Sequence, residues 1–271
     1  MARPLATFIL SIVLATLAPA GDGYAQETGV DLELVIAVDI SGSVDPEEAK
    51  LQRQGYIQAF SDPAVIKAIQ NGLHGAIAVT YMEWAGSHHQ DFLVDWQRVH
   101  DEKTALAFAD ALAWIPTRTN VWTSISGAMI AGAAAFERNP FRGPRRVIDI
   151  SGDGANNEGP QVALTRDEVL QRRLTINGLP IVNDRPSRFG RRQIKDLDLY
   201  YTDCVIGGPG AFIIVANGFD DYARAVRRKL IIEIAGVMPE TAPADLFQPA
   251  QMAQRSNCLV GELRRQMDDD Y

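Results

Sequence analysis

The segment Leu32 to Asp39 (LELVIAVD) is rich in Val, Ile and Leu, ends on an acid, and gives way at once to Ile40-Ser41-Gly42-Ser43. A run of this kind reads as a buried parallel strand, apolar on both faces. Parallel neighbours cannot be joined by tight hairpins, so the chain must supply crossovers, usually helical. It does. Asp45-Pro46 offers an N-cap and a first helical proline, predicting a helix from Pro46 to Phe60. Ser61-Asp62-Pro63 restarts a shorter helix through about Ile69. Strands are expected at Gly75 to Trp84, Arg146 to Ser151, Leu174 to Ile181 and Ala211 to Ala216, with an extended edge segment from Gln90 to Trp96. Helices are expected at Asp101 to Ile115, Ser124 to Arg138, Val162 to Leu174 and Asp220 to Ile234. This alternation predicts an α/β fold: a doubly wound, mainly parallel central sheet with helices on both faces and one antiparallel edge strand, over about residues 30–236. Asp184 to Asp198 is polar and Arg-rich and reads as a surface excursion; residues 237–271 read as a tail or short helical appendage.

Composition narrows the function. With 46% hydrophobic and 22% charged residues, the chain is an ordinary globular one, not a disordered one. A net charge of −8 disfavours a nucleic-acid binder, which usually carries a basic face. Two cysteines, Cys204 and Cys258, allow neither a disulfide scaffold nor a structural Cys-type zinc site. Residues 1–25 read as a signal peptide: Arg3 starts it, Leu5 to Leu17 forms the apolar centre, and Ala18-Pro19-Ala20 and Gly23-Tyr24-Ala25 offer cleavage sites. The alternative is a membrane anchor, for which the run is short against a span of about 20 residues. No other segment is apolar enough to be transmembrane, so the expected destination is periplasmic or secreted. Removal takes one base (Arg3) and one acid (Asp22), leaving −8. In such an oxidising compartment a Cys204-Cys258 bond would tie tail to domain; two separately buried thiols are the alternative.

In an open α/β sheet, ligands gather outside the carboxyl ends of the strands. Three polar clusters fall there: Asp39-Ile40-Ser41-Gly42-Ser43, the loop Thr117 to Ser126, and Ser151-Gly152-Asp153-Gly154. Carboxylate and hydroxyl oxygens suit a hard divalent cation such as Mg2+, Ca2+ or Mn2+. With only two carboxylates, an ion held there keeps positive charge and an open position, which suits recognition of an acidic group from outside.

Asp39-x-Ser41-x-Ser43 resembles the metal-ion-dependent adhesion site (MIDAS) of von Willebrand factor A (VWA) domains, in which a Thr from a second loop and an Asp from a third complete the set. Ser151-Gly152-Asp153-Gly154 resembles the third loop, making Asp153 the matching acid. Thr123-Ser124-Ile125-Ser126-Gly127-Ala128-Met129 resembles the second; Thr119-Asn120-Val121 is another register, but the small residues after Thr123 favour it. Arg145 to Gly154 and Val205 to Phe212 are similar to the uncharacterised secreted bacterial branch of that family. The resemblance covers about residues 30–236. It implies a metal-dependent protein-protein interaction or adhesion module, holding a divalent cation (Mg2+ foremost) through Asp39, Ser41, Ser43, Thr123 and Asp153. A partner protein's Asp or Glu would complete the shell, and no catalytic residue is implied. The rival is a periplasmic metal-dependent hydrolase, phosphoesterase-like, using the same edge.

Other residues have plainer readings beside sharper ones. Ser41 and Ser43 suit helix capping; Asp149 is either a buried partner of the metal edge or paired with Arg145 or Arg146. Asn156, Asn157 and Glu158 read as plain loop residues near the metal edge, with tuning of partner choice as the alternative. His88 and His89, adjacent in the edge segment, would face opposite ways and so not share an ion. Trp84, Trp96 and Trp114 read as core or rim aromatics, while Trp122 adjoins the Thr loop and is placed to touch a partner.

Overall fold

A computed structural model describes residues 28–183, 190, 192–236 and 256–269. The expected signal segment, residues 184–189 and 191 of the 184–198 excursion, and residues 237–255 and 270–271 of the tail lie outside these residues.

The principal sheet has six strands in the order β4-β3-β2-β6-β7-β8. They are β2 (Leu32–Asp39), β3 (Ile77–Trp84), β4 (Gln90–Val99), β6 (Arg146–Gly152), β7 (Thr175–Val182) and β8 (Ala216–Asn217). All pair in parallel except β3 with β4, which is the expected antiparallel edge. A short parallel pair, β1 (Thr28–Gly29) with β5 (Phe141–Arg142), stands apart. Every residue of β2 is buried, as a strand covered on both faces requires. Its side chains alternate between two cores: Leu34, Ile36 and Val38 face one, Val35 and Ala37 the other.

Helices cover both faces. α1 (Pro46–Phe60), α2 (Pro63–Gln70), α3 (Glu102–Ala113) and α7 (Tyr222–Ala235) contribute to the first core; α4 (Ile125–Ala135) and α5 (Val162–Leu170) contribute to the second. The caps match the sequence signals. Asp45 accepts from the amides of Glu47 and Glu48, Asp62 from Ala64, and Asp101 from Thr104. Among the described residues no helix is long and apolar enough to cross a membrane.

Two expectations are corrected, and one element was not foreseen. The strand expected at Ala211 to Ala216 is reduced to a bridge at Ile213 and the two residues of β8. It follows a turn with Gly208 at φ 94° and Gly210 at φ 69°, and the Phe212 amide donates to the Asn177 side chain rather than to a backbone carbonyl. The helix expected to reach Leu174 stops at Leu170; Arg173, at φ 59°, turns the chain into β7. Finally, α6 (Leu197–Tyr200) runs straight into a π-helical turn, Tyr201–Val205, that the sequence reading left unassigned. It buries Tyr200, Tyr201 and Cys204.

The topology positions the site. β3 lies on one side of β2 and β6 on the other, so the chain's direction of winding reverses at β2. Crevices for ligands form at such reversals, beyond the carboxyl ends of the strands. Asp39 closes β2, and Asp153 directly follows β6.

Candidate functional site

The loop after β2 is built around Asp39. Its Oδ1 accepts from the Ser41 amide at 2.7 Å, and its carbonyl accepts from Gln52 Nε2 on α1 at 2.8 Å. Ser41 Oγ lies 3.1 Å from Ser43 Oγ, and Ser43 Oγ donates to Asp153 Oδ1 at 2.5 Å. The capping reading of the serines does not hold: Asp45 caps α1, and Glu48 completes the capping box. Asp39, Ser41, Thr123 and Asp153 are buried, while Ser43 is half-buried.

The second loop meets the first two at one turn. A Cβ placed on Gly154 would lie 3.7 Å from Thr123 Oγ1 and 4.0 Å from Ser43 Oγ. Thr123 thus flanks the Asp153-Gly154 turn. Its backbone is held by the third loop. The Thr123 amide donates to Asn157 Oδ1 (2.9 Å), and its carbonyl accepts from the amides of Asn157 (2.8 Å) and Glu158 (3.2 Å). Asn156 Oδ1 accepts from the Ser126 amide at 3.0 Å, and Ser124 caps α4 through the Gly127 amide at 3.1 Å. Asn156, Asn157 and Glu158 are thus braces of the Thr123 loop as well as loop residues.

Two carboxylates sit together here. Among the described residues no Lys, Arg or His forms an ion pair with Asp39 or Asp153. Burial pushes the Asp39 carboxyl well above the usual carboxylate range, and the neighbouring Asp153 charge pushes it the same way. Burial also raises Asp153, to about 6, against the Ser43 hydrogen bond and with help from the Glu48 charge. Asp39 Oδ2 is buried and has no hydrogen-bond partner. An orphaned buried carboxylate oxygen costs free energy unless something polar or cationic reaches it. Ser41, Ser43 and Thr123 add neutral hydroxyl oxygens, so the donor set fits a hard divalent cation. No group of three or more His, Cys, Asp or Glu side chains suited to a metal occurs among the described residues. An ion at this edge would therefore rely on two acids and on hydroxyls.

Sequence reasoning missed Tyr201. A Cβ on Gly152 would lie 2.8 Å from Asp39 Oδ2 and 2.9 Å from the Tyr201 hydroxyl oxygen, so only glycine fits between them. The buried Tyr201 hydroxyl also has no partner, and burial followed by the Asp39 charge raises it well above the ordinary tyrosine value. The only signal was the pair Tyr200-Tyr201 after Leu197, an apolar spacing of three and four in a polar stretch.

Other residues fall elsewhere. Asp149 takes neither role considered for it: it pairs with Lys229 at 2.6 Å inside the sheet-helix interface. Arg145 instead donates to the carbonyls of Glu233 and Ile234, and Arg146 to that of Arg172. His88 and His89 lie exposed in the turn before β4, not in the strand. Trp84 is fully buried, Trp96 half-buried, and Trp114 is 87% exposed at the end of α3. Trp122, half-buried, adopts φ 63° with the Arg265 guanidinium 3.7 Å from its ring centroid. Cys204 and Cys258 are disulfide-bonded.

Solved structures of other proteins share this architecture. Proximal thread matrix protein 1 from the mussel byssus, in a structure with a zinc-occupied MIDAS motif, has a TM-score of 0.55 at 14% identity, covering 77% of this chain and 49% of that one. The pilus adhesin SpaC from Lactobacillus rhamnosus GG has a TM-score of 0.54 at 13% identity, covering 76% of this chain and 30% of that one. The chain thus spans about half of the first protein and under a third of the second. At such identities the likeness shows the fold, which is that of a VWA domain. No curated protein matches the chain in sequence. A family model does, over residues 29–238, and the chain therefore belongs to the family described as "Protein of unknown function (DUF1194)", built on the VWA fold.

Proposed function

We propose that the protein is a periplasmic or secreted VWA-type interaction module that binds a divalent cation, Mg2+ foremost, through Asp39, Ser41, Ser43, Thr123 and Asp153. The observation that carries this reading is the pair of buried acids that has no basic partner among the described residues, one of them holding an orphaned oxygen. A cation would supply the missing positive charge and keep a coordination position for the Asp or Glu of a protein partner. The mussel matrix protein and the pilus adhesin, each with this fold, support an adhesive rather than catalytic use. The domain would run from about residue 30 to 236, after a cleaved segment at 1–25. The Cys204–Cys258 disulfide supports an oxidising compartment.

Calorimetric titration with MgCl2 tests the site. The expected result is saturable binding by the native chain and none by Asp39→Ala, with the far-ultraviolet circular dichroism of the two alike. Equal affinities in both proteins would overturn the assignment. Mg2+-dependent turnover of phosphate esters, lost in Asp39→Ala, would replace the interaction module by a hydrolase.

A further inference from the structure

The last described helix, α8 (Val260–Asp269), does not trail away from the domain. The Cys204–Cys258 disulfide fastens its start to the π-helical turn. From there it meets the third loop at close quarters: a Cβ on Gly261 would lie 2.0 Å from the Asn156 carbonyl oxygen. Only a glycine allows the helix backbone so near. At the next residue, Glu262 Oε1 accepts from Asn156 Nδ2 at 2.8 Å. Arg265 Nη1 lies 3.3 Å from the Asn157 carbonyl and 3.4 Å from Glu158 Oε1, while its guanidinium covers the Trp122 ring. The residues touched by α8 thus include Asn156, Asn157, Glu158 and Trp122. The first three brace Thr123 and Ser126 through hydrogen bonds, and Trp122 immediately precedes Thr123 in a conformation that favours glycine.

We infer that α8 is a positioning clamp for the Thr123 loop, with Arg265 and Gly261 as its contact points and the disulfide as its tether. Trp122 stays in its left-handed conformation because a cation stacks on its outer face and the third loop holds the residue after it. Removing the clamp frees the 156–158 turn, and Thr123 loses its fixed orientation toward the Asp153-Gly154 turn. Outer-shell braces of this kind alter metal affinity by roughly ten- to a hundredfold without touching the ion. The consequence for metal rests on the reading of the site given above; the clamping of the loop does not.

The test uses the full chain. Amide hydrogen exchange is followed by NMR at Thr123 and Ser126, with Ile148 and Ile150 of β6 as core references, in the absence of added metal. Gly261→Ala, Arg265→Ala and native protein reduced with dithiothreitol are each expected to speed exchange at Thr123 and Ser126 about tenfold, leaving the core references unchanged. Arg265→Lys keeps a cation over Trp122 and should restore much of the protection. Mg2+ affinity should fall in step, by about tenfold or more. Unchanged exchange at Thr123 and Ser126 in all three cases overturns the clamp. Faster exchange that leaves Mg2+ affinity at the native value supports the clamp and overturns its consequence for the metal. If the native chain takes up no Mg2+, the proposed metal site falls on its own, and the exchange data alone decide the clamp.

Discussion

Among its described residues the protein buries two pairs of carboxylates in opposite surroundings. Asp149 on β6 and Glu233 on α7 both contact Lys229 Nζ, and all three side chains are almost wholly buried. Asn177 on β7 adds a hydrogen bond to Glu233 at 2.9 Å. That cluster carries its own cation and is closed. Asp39 and Asp153, at the strand ends, have hydroxyls and amides around them but no cation among the described residues. Buried like charges without a counter-charge are costly, and chains keep them where an external ion or a reaction repays the cost. Two carboxylate pairs in one domain therefore separate a closed arrangement from an open one.

The sharpest way to break this comparison is to remove the internal cation. Lys229→Ala leaves two acids facing each other in the core and should cost about 3–5 kcal/mol of stability by urea unfolding. A loss under 1 kcal/mol would mean that the closed cluster is no more self-sufficient than the edge. A matching change at the edge should behave differently. In metal-free protein Asp153→Asn removes one of two repelling charges, so stability should hold or rise. The native chain should gain about 2.7 kcal/mol in Mg2+ at a hundred times its dissociation constant, and the variant should lose that gain. Melting scans with and without Mg2+ read both effects.

Titration sharpens the same contrast. Burial, then the Glu233 charge, raise Asp149 to about 7 against the pull of Lys229; Asp153 is raised to about 6. Both folded values lie above the unfolded value of about 3.9. The folded state then holds these protons more tightly, so metal-free stability should fall as pH rises from about 4, through about 6 for Asp153 and about 7 for Asp149. Saturating Mg2+ binds the ionised edge and should cancel or reverse the Asp153 part alone. The smallest expected effect is neutral in charge. Ser124→Ala removes the cap of α4 and should cost about 1 kcal/mol in either condition while the Mg2+ gain persists. A Ser124→Ala protein that no longer responds to Mg2+ would show that the loop, not the carboxylates, limits the site.

Much of the frame was legible because the signals were local. β2, β3 and β6 are short runs rich in Val, Ile and other apolar residues, and Asp45-Pro46, Asp62-Pro63 and Asp101 announce helix starts through hydrogen bonds only two or three residues long. Asp39, Ser41 and Ser43 were legible for the same reason: they lie within one turn at the end of such a strand. The strand expected at Ala211 to Ala216 failed because its apolar residues fill the core beside β7 without a continuous ladder. Packing rewards burial whether or not the backbone is regular.

The sequence by itself determined an α/β sheet of mainly parallel strands, with Asp39 and Asp153 at their carboxyl ends and hydroxyls close by, since each of those facts depends on residues a few positions apart. It could not determine that Lys229 meets Asp149 across 80 positions, that Tyr201 comes to lie beside Asp39, or that α8 returns to hold Asn156 and Trp122. Such contacts join elements distant along the chain, and they exist only once the sheet and its covering helices have fixed the distances between them.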